Sequence, residues 1–170
     1  MDRLRRAADL IDQRRFLLAA VLTFEVGKTR LEALGDVEES AELIRYYCDE
    51  MERHRGFRRP MDRLHPAEET LDVLRPYGVW AVISPFNFPV ALAAGPAGAA
   101  LAAGNSVVLK PASSGALSAV LLADRFAEAG LPAGALQVLT GSGERVGKAL
   151  VEDPRVAGIT FTGSAEVGMR

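Results

Sequence analysis

Apolar positions along the chain change their period near residue 75. Before it they recur at helical spacing. Leu4, Ala8, Ile11, Leu18 and Leu22 fall on one stripe, which predicts one amphipathic helix from about Asp2 to Val26. Val37, Ala41, Ile44, Cys48 and Met51 form a second stripe and predict a helix from near Asp36 to about Arg55. Gly35 reads as the separator of the two, and Gly56 and Pro60 as the end of the second. Residues 57–72 read as polar and irregular, or as an edge strand.

After residue 75, short apolar runs alternate with longer helical stretches. Val79–Ile83, Ser106–Lys110, Leu136–Leu139 and Ala157–Thr162 read as strands. Val90–Ala103, Ser113–Ala129 and Glu144–Val151 read as the helices between them, the second started by its serine. This order predicts an α/β fold with parallel strands joined by right-handed crossovers. The expected organisation is a helical segment with linker over residues 1–75 and an α/β domain over 76–170. Thr162-Gly163-Ser164 reads as a turn into a further helix, for which six residues remain. Six residues do not hold a helix alone, so the expectation is a part of a longer protein, or one completed by a partner.

Composition sharpens this division. Of the 42 charged residues, 30 lie in residues 1–75, whereas 13 of the 16 glycines lie beyond them. Residues 76–109 carry no charge but are interrupted by prolines and glycines, which fits buried strands and a helix better than a membrane span. Phe16–Phe24 follows two arginines, yet Glu25 comes next without a small-residue cleavage pattern, so a signal peptide is not expected. The net charge of −2 gives no electrostatic case for nucleic acid. A single cysteine, Cys48, excludes an internal disulfide and a multi-thiolate zinc site, with a reducing, cytoplasmic setting as the default. Cys48 reads as a packed core thiol, and no metal is assigned to His54 or His65. Arg53, Arg55, Arg58, Arg59 and Arg63 form a basic cluster that reads as a solvated face rather than an anion site.

Candidate chemistry lies at the predicted strand ends, where ligands of open α/β sheets bind. Gly141-Ser142-Gly143 with Gly147 follows the third strand and suits either a tight turn or a phosphate. Gly163-Ser164 offers the same device after the fourth. Lys110 ends the second strand; it either donates to ribose or phosphate, or leads its ammonium out to solvent. Asn87, between Pro85-Phe86 and Phe88-Pro89, either donates to a developing oxyanion or satisfies its own turn.

Taken in order, these segments resemble the aldehyde dehydrogenase superfamily over nearly the whole chain. The anchors are Ile83-Ser84-Pro85-Phe86-Asn87-Phe88-Pro89, Gly104-Asn105-Ser106-Val107-Val108-Leu109-Lys110-Pro111, Gly130-Leu131-Pro132, Gly141-Ser142-Gly143 with Gly147, and Phe161-Thr162-Gly163-Ser164 with Gly168. Glu25-Val26-Gly27-Lys28 and Arg45-Tyr46-Tyr47 are similar to the family's N-terminal helices. The resemblance implies a Rossmann-like, incomplete NAD-binding domain and an enzyme that oxidises small aldehydes to carboxylates through a cysteine thioester. It implies Asn87 as the oxyanion donor and Ser84, Pro85 and Phe86 as cofactor contacts, mainly through backbone. Lys110 and Ser113 would face the adenine ribose, Gly143, Val146 and Gly147 the adenine, and Ser164 the pyrophosphate. Phe161, Thr162, Gly163 and Val167 would shape that last turn. Many members carry an acid where Ser113 stands; serine removes its repulsion of a 2′-phosphate, which leaves NADP open, but some NAD-preferring branches also carry serine, so the implied cofactor is NAD. The family's nucleophilic cysteine and general-base glutamate lie downstream of these motifs, and Cys48 does not match the nucleophile. The 170 residues alone are therefore expected to be inactive, and the full-length form a homo-oligomer. The wording from Arg75 to Pro89 is most similar to the 1-pyrroline-5-carboxylate dehydrogenase branch, which oxidises glutamate semialdehyde. The alternative is a non-catalytic nucleotide-binding or assembly module derived from the same family.

Overall fold

A computed structural model describes residues 1–169. The chain forms an outer layer of helices, an inner pair of helices and a parallel sheet. The predicted first helix is two: α1 (Asp2–Gln13) and α2 (Arg15–Val26), broken at Arg14, whose ψ of 12° leaves the helical range. The stripe survives the break, and Leu4, Ala8, Ile11, Leu18 and Leu22 are all buried. Gly27 then takes the left-handed conformation (φ 73°) and ends α2. Helix α3 (Arg30–Arg53) starts earlier than expected, at a capping box: Thr29 Oγ1 accepts from the Glu32 N–H, and the Glu32 carboxylate accepts from the Thr29 N–H. Gly35 is thus an interior residue of α3, not a boundary. Its exposed backbone is carried by the buried stripe of Ala33, Val37, Ala41, Ile44 and Cys48 on the same helix.

Residues 57–72 add no edge strand to the main sheet: β1 (Arg58–Pro60) pairs with β2 (Leu71–Val73) in a separate two-stranded antiparallel sheet, with irregular chain between them. The main sheet follows: β3 (Val79–Ile83), β4 (Ser106–Lys110), β5 (Leu136–Val138) and β6 (Val156–Phe161), all parallel, in the order β5-β4-β3-β6. Helices α4 (Ala91–Ala102) and α5 (Ala116–Glu128) make the first two crossovers, and α6 (Lys148–Glu152) the third. The stretch from Ser113 is not α-helical at its start: Ser113–Gly115 is one turn of 3-10 helix before α5. Gly143–Gly147 is a π-helical turn before α6. A four-residue α7 (Ala165–Gly168) closes the described chain.

One apolar core joins the outer helices to the sheet, from Leu4 and Ile44 through Ala93 and Ala97 to Val107 and Leu109. Helix α4 owes its depth to small residues. A Cβ on Gly95 would lie 2.9 Å from Leu43 Cδ1, and one on Gly98 3.1 Å from Ile44 Cγ1, so α3 and α4 approach closely only because both are glycine. Pro96 sits in the second turn of α4 (Ala91–Ala102). Cys48 is fully buried, as the core reading expects, and burial pushes its thiol pKa up. No described helix is long and apolar enough to cross a membrane, and no described group of His, Cys, Asp or Glu has the arrangement of a metal site.

Candidate functional site

The sheet order creates a switch point between β3 and β6. The chain moves outward from β3 to β4 to β5, then returns to the other side of β3. Loops after parallel strands all emerge at one edge, and the crevice opens where the order reverses. The four predicted motifs therefore share one edge: Ser84–Pro89 after β3, Pro111–Ser113 after β4, Leu139–Gly143 after β5 and Thr162–Ser164 after β6.

Several of the predicted residues meet there. The Ser84 N–H donates to the Lys110 carbonyl at 3.1 Å, and the Thr162 N–H to the Ile83 carbonyl at 3.0 Å, which lock the β3, β4 and β6 tips together. The Ser84 hydroxyl is buried and has no hydrogen-bond partner among the described residues. Lys110 is only 5% exposed; its ammonium donates to the Pro111 carbonyl at 3.0 Å, and burial pushes its pKa below that of ordinary lysine. The Gly147 backbone lies against the Lys110 stem, where a Cβ would sit 3.7 Å from Cε. The Ser113 hydroxyl donates to the Gly141 carbonyl at 3.3 Å, joining the β4 and β5 loops. Gly141, at φ 148°, leaves space for Val146, whose Cγ2 would be 2.5 Å from an added Cβ. Around Gly143 there is open space.

At the β6 tip, the Phe161 ring explains two glycines. A Cβ on Gly163 would come 2.6 Å from the ring, and one on Gly168 3.0 Å. Ser164 Oγ accepts from the Val167 N–H at 3.3 Å and so starts α7. Ser142 does the same for the Arg145 N–H, also at 3.3 Å, at the start of the π-helical turn. A concavity of about 660 Å³ flanks the β5 loop between Leu139, Ser142, Arg145 and Leu150; Val146 is the one predicted contact that lines it.

Asn87 and Phe86 are exposed, and Pro85 is half-buried. The Asn87 amide makes no side-chain hydrogen bond among the described residues, so it is not occupied in satisfying its own turn. Arg53, Arg55, Arg58 and Arg59 of the basic cluster line one shallow concavity with His54, and Arg53 also pairs with Glu50.

The sequence did not point to the groups that hold the loops from behind. The α5 N-terminus is capped not by serine but by Glu25, whose carboxylate accepts from the Leu117 and Ser118 N–H groups at 2.6 and 2.9 Å. Asp36, buried in α3, accepts from the Ala91 N–H at the start of α4 at 2.7 Å. Its second oxygen lies 3.1 Å from Lys28 Nζ, and that ammonium sits 3.5 Å from the centroid of the Phe88 ring. Burial raises the Asp36 pKa, opposed by the Ala91 N–H and by Lys28. The only sequence signal was Glu25-Val26-Gly27-Lys28, which carries no periodicity of its own.

Comparison with known proteins agrees with this layout. The aldehyde dehydrogenase family model matches residues 1–170. The 3-sulfolactaldehyde dehydrogenase of Priestia aryabhattai is 44% identical over 167 residues, covering 97% of this chain and 35% of the relative. The 1-pyrroline-5-carboxylate dehydrogenase of Geobacillus thermodenitrificans is 44% identical over 170 residues, covering 99% of this chain and 32% of the relative. Among solved structures, NADP-dependent glyceraldehyde-3-phosphate dehydrogenase from Bacillus halodurans, complexed with NADP, superposes with a TM-score of 0.91 at 38% identity, covering 99% of this chain and 36% of that one. A mutant of Bradyrhizobium japonicum proline utilization A gives a TM-score of 0.93 at 40% identity, covering 99% and 17%. The chain spans about a third of the length of the curated relatives it matches. With the family match running over residues 1–170, the chain belongs to the aldehyde dehydrogenase family.

Proposed function

We propose that this chain supplies the adenylate side of an NAD cradle and the oxyanion donor of an enzyme that oxidises a small aldehyde to a carboxylate. One observation carries the reading. A buried, unpartnered Ser84 hydroxyl, a buried Lys110 ammonium and glycine turns lie on one sheet edge, beside an exposed Asn87 amide that no turn group occupies. Buried polar groups without partners are costly unless a ligand completes them. These residues therefore fit a ribose and its phosphates.

In this reading Ser84, Pro85 and Phe86 contact the cofactor through the β3 loop. Lys110 and Ser113 face the adenine ribose. Gly143, Val146 and Gly147 receive the adenine, and Ser164 the pyrophosphate. Phe161, Thr162, Gly163 and Val167 hold the shape of the last turn. Bound NAD supplies the nicotinamide that accepts hydride. The Asn87 amide donates to the oxygen that gains charge as an aldehyde carbon becomes tetrahedral. Ser113 carries no charge to repel a 2′-phosphate, and we assign NAD as the preferred form with NADP as the measured comparison. The one thiol, Cys48, is buried in α3 away from the strand tips, so the nucleophile is not among these 170 residues.

The relatives are named for aldehydes that bear an anionic group, among them sulfolactaldehyde, succinate semialdehyde and glutarate semialdehyde. This supports an anionic aldehyde as substrate, and the Arg75–Pro89 wording supports glutamate semialdehyde within that class. The full-length form is proposed as a cytoplasmic homo-oligomer. Calorimetric titration of the folded chain with NAD, NADP and AMP tests the cradle. Saturable binding of NAD without aldehyde oxidation is expected. A folded chain that binds none of the three, or one that oxidises an aldehyde by itself, overturns the reading.

A further inference from the structure

Among the described residues Asn87 has no side-chain hydrogen bond of its own, so its direction is set by the backbone on either side. That backbone is held from behind. Phe88 lies under the Lys28 ammonium, and the Phe88 carbonyl accepts from the Leu92 N–H at 3.1 Å. Three residues further, Asp36 accepts from the Ala91 N–H. The Ser113 turn is held in the same manner, because Glu25 takes the Leu117 and Ser118 N–H groups and Ser118 Oγ donates back to the Gly115 carbonyl at 3.1 Å. The two loops also touch, since a Cβ on Gly115 would sit 3.0 Å from Pro89 Cβ. Glu25, Lys28 and Asp36 all lie within the corner where Gly27 turns α2 into α3.

We propose that this corner is a positioning unit. Glu25 fixes the Ser113 turn, and Lys28 with Asp36 fixes the Asn87 loop, so that the two cofactor-facing loops stand at one set separation. The inference rests on the proposed function for what the loops do, but not for how they are held. The Lys28 side chain is 9% exposed and that of Asp36 0%. A buried ion pair of this kind adds little net stability over apolar residues of the same volume. Its yield here is orientation. The ammonium is aimed at a ring face next to Asn87, and the carboxylate at the first N–H of the helix that follows.

Hydrogen–deuterium exchange on the 170-residue chain tests this, with NAD titration beside it. In Lys28→Met, the amides of residues 84–92 are expected to exchange at least tenfold faster, while those of β3 and β4 keep their protection. NAD binding is expected to weaken several-fold, and Lys28→Arg to restore both. Phe88→Leu leaves the ion pair intact and removes only the ring, so it serves if Lys28→Met does not fold; it should loosen the same segment. Glu25→Gln should loosen residues 113–118 and not 84–92. Unchanged exchange at 84–92 in both Lys28→Met and Phe88→Leu overturns the proposal, as does failure of both variants to fold. If the unaltered chain binds no NAD, the proposed function fails, and the exchange pattern still decides whether the corner holds the loops.

Discussion

Lys110 is in a position that stability alone does not favour. It ends β4 with 5% exposure and a single carbonyl partner, and burial depresses its pKa. A depressed folded pKa means that the protonated folded form carries a burial cost at neutral pH. That cost fades as the pH rises through the folded value towards that of free lysine. Lys110→Met is therefore expected to stabilise the chain by about 1 kcal/mol at pH 7, roughly 2–4 °C in Tm. The gain should shrink towards pH 10, while NAD affinity falls about tenfold or more at pH 7. Thermal melts across pH, paired with calorimetry, check both signs; a variant that loses stability at pH 7 contradicts the burial argument. Asn87 gives the opposite contrast. It is exposed and makes no side-chain hydrogen bond among the described residues, so Asn87→Ala should leave Tm unchanged. In an aldehyde-oxidising protein that carries this chain, the same substitution should lower kcat by about 100- to 1000-fold.

At the scale of elements, the chain's strands were more legible than its helix boundaries. Val79–Ile83 and Ser106–Lys110 are valine-containing apolar runs with a glycine within two residues before them and a proline within two residues after, and they form β3 and β4 over those same residues. The break at Arg14 left no trace, because Leu4, Ala8, Ile11, Leu18 and Leu22 keep their register across it. Gly35 misled because glycine stops many helices, whereas the real stop was Gly27 followed by Thr29 and Glu32. The site divides in the same way. The candidate residues at the strand tips come as short contiguous motifs, which is why the sequence offers them. The Glu25 contacts bridge 92 and 93 positions and could not be read from it, since only the tertiary fold brings them together. Gly35 itself offers a test of the corrected boundary. It is exposed in the interior of α3 with nothing within 4 Å of an added Cβ. Gly35→Ala should then stabilise the chain by about 0.5–1 kcal/mol through lower backbone entropy in the unfolded state. A urea midpoint that falls would instead return Gly35 to a helix end.

For the whole molecule, the decisive feature is that the charged helical layer and the apolar sheet share one core. Ile11, Leu18, Leu22 and Ile44 belong to the same buried cluster as Ala93, Ala97, Val107 and Leu109. The corner at Gly27 adds polar ties between the layers, through Asp36 to α4 and Glu25 to α5. Two layers joined in this way should lose their packing together. Two probes report on them separately. Most of the helical ellipticity comes from α1, α2 and α3, whereas the single tryptophan, Trp80, lies in β3 and donates from Nε1 to Thr160 Oγ1 at 2.8 Å. Urea unfolding followed by ellipticity and by Trp80 fluorescence should give coincident transitions. Gly158→Ala extends the test from the sheet side, because its Cβ would lie 2.2 Å from the Trp80 ring. The ring must move, and both midpoints should fall together, by the equivalent of about 1–3 kcal/mol, the range for an overpacked core. If only the fluorescence transition shifts, the helical layer stands without the sheet, and the set separation of the two loops has to come from the sheet alone.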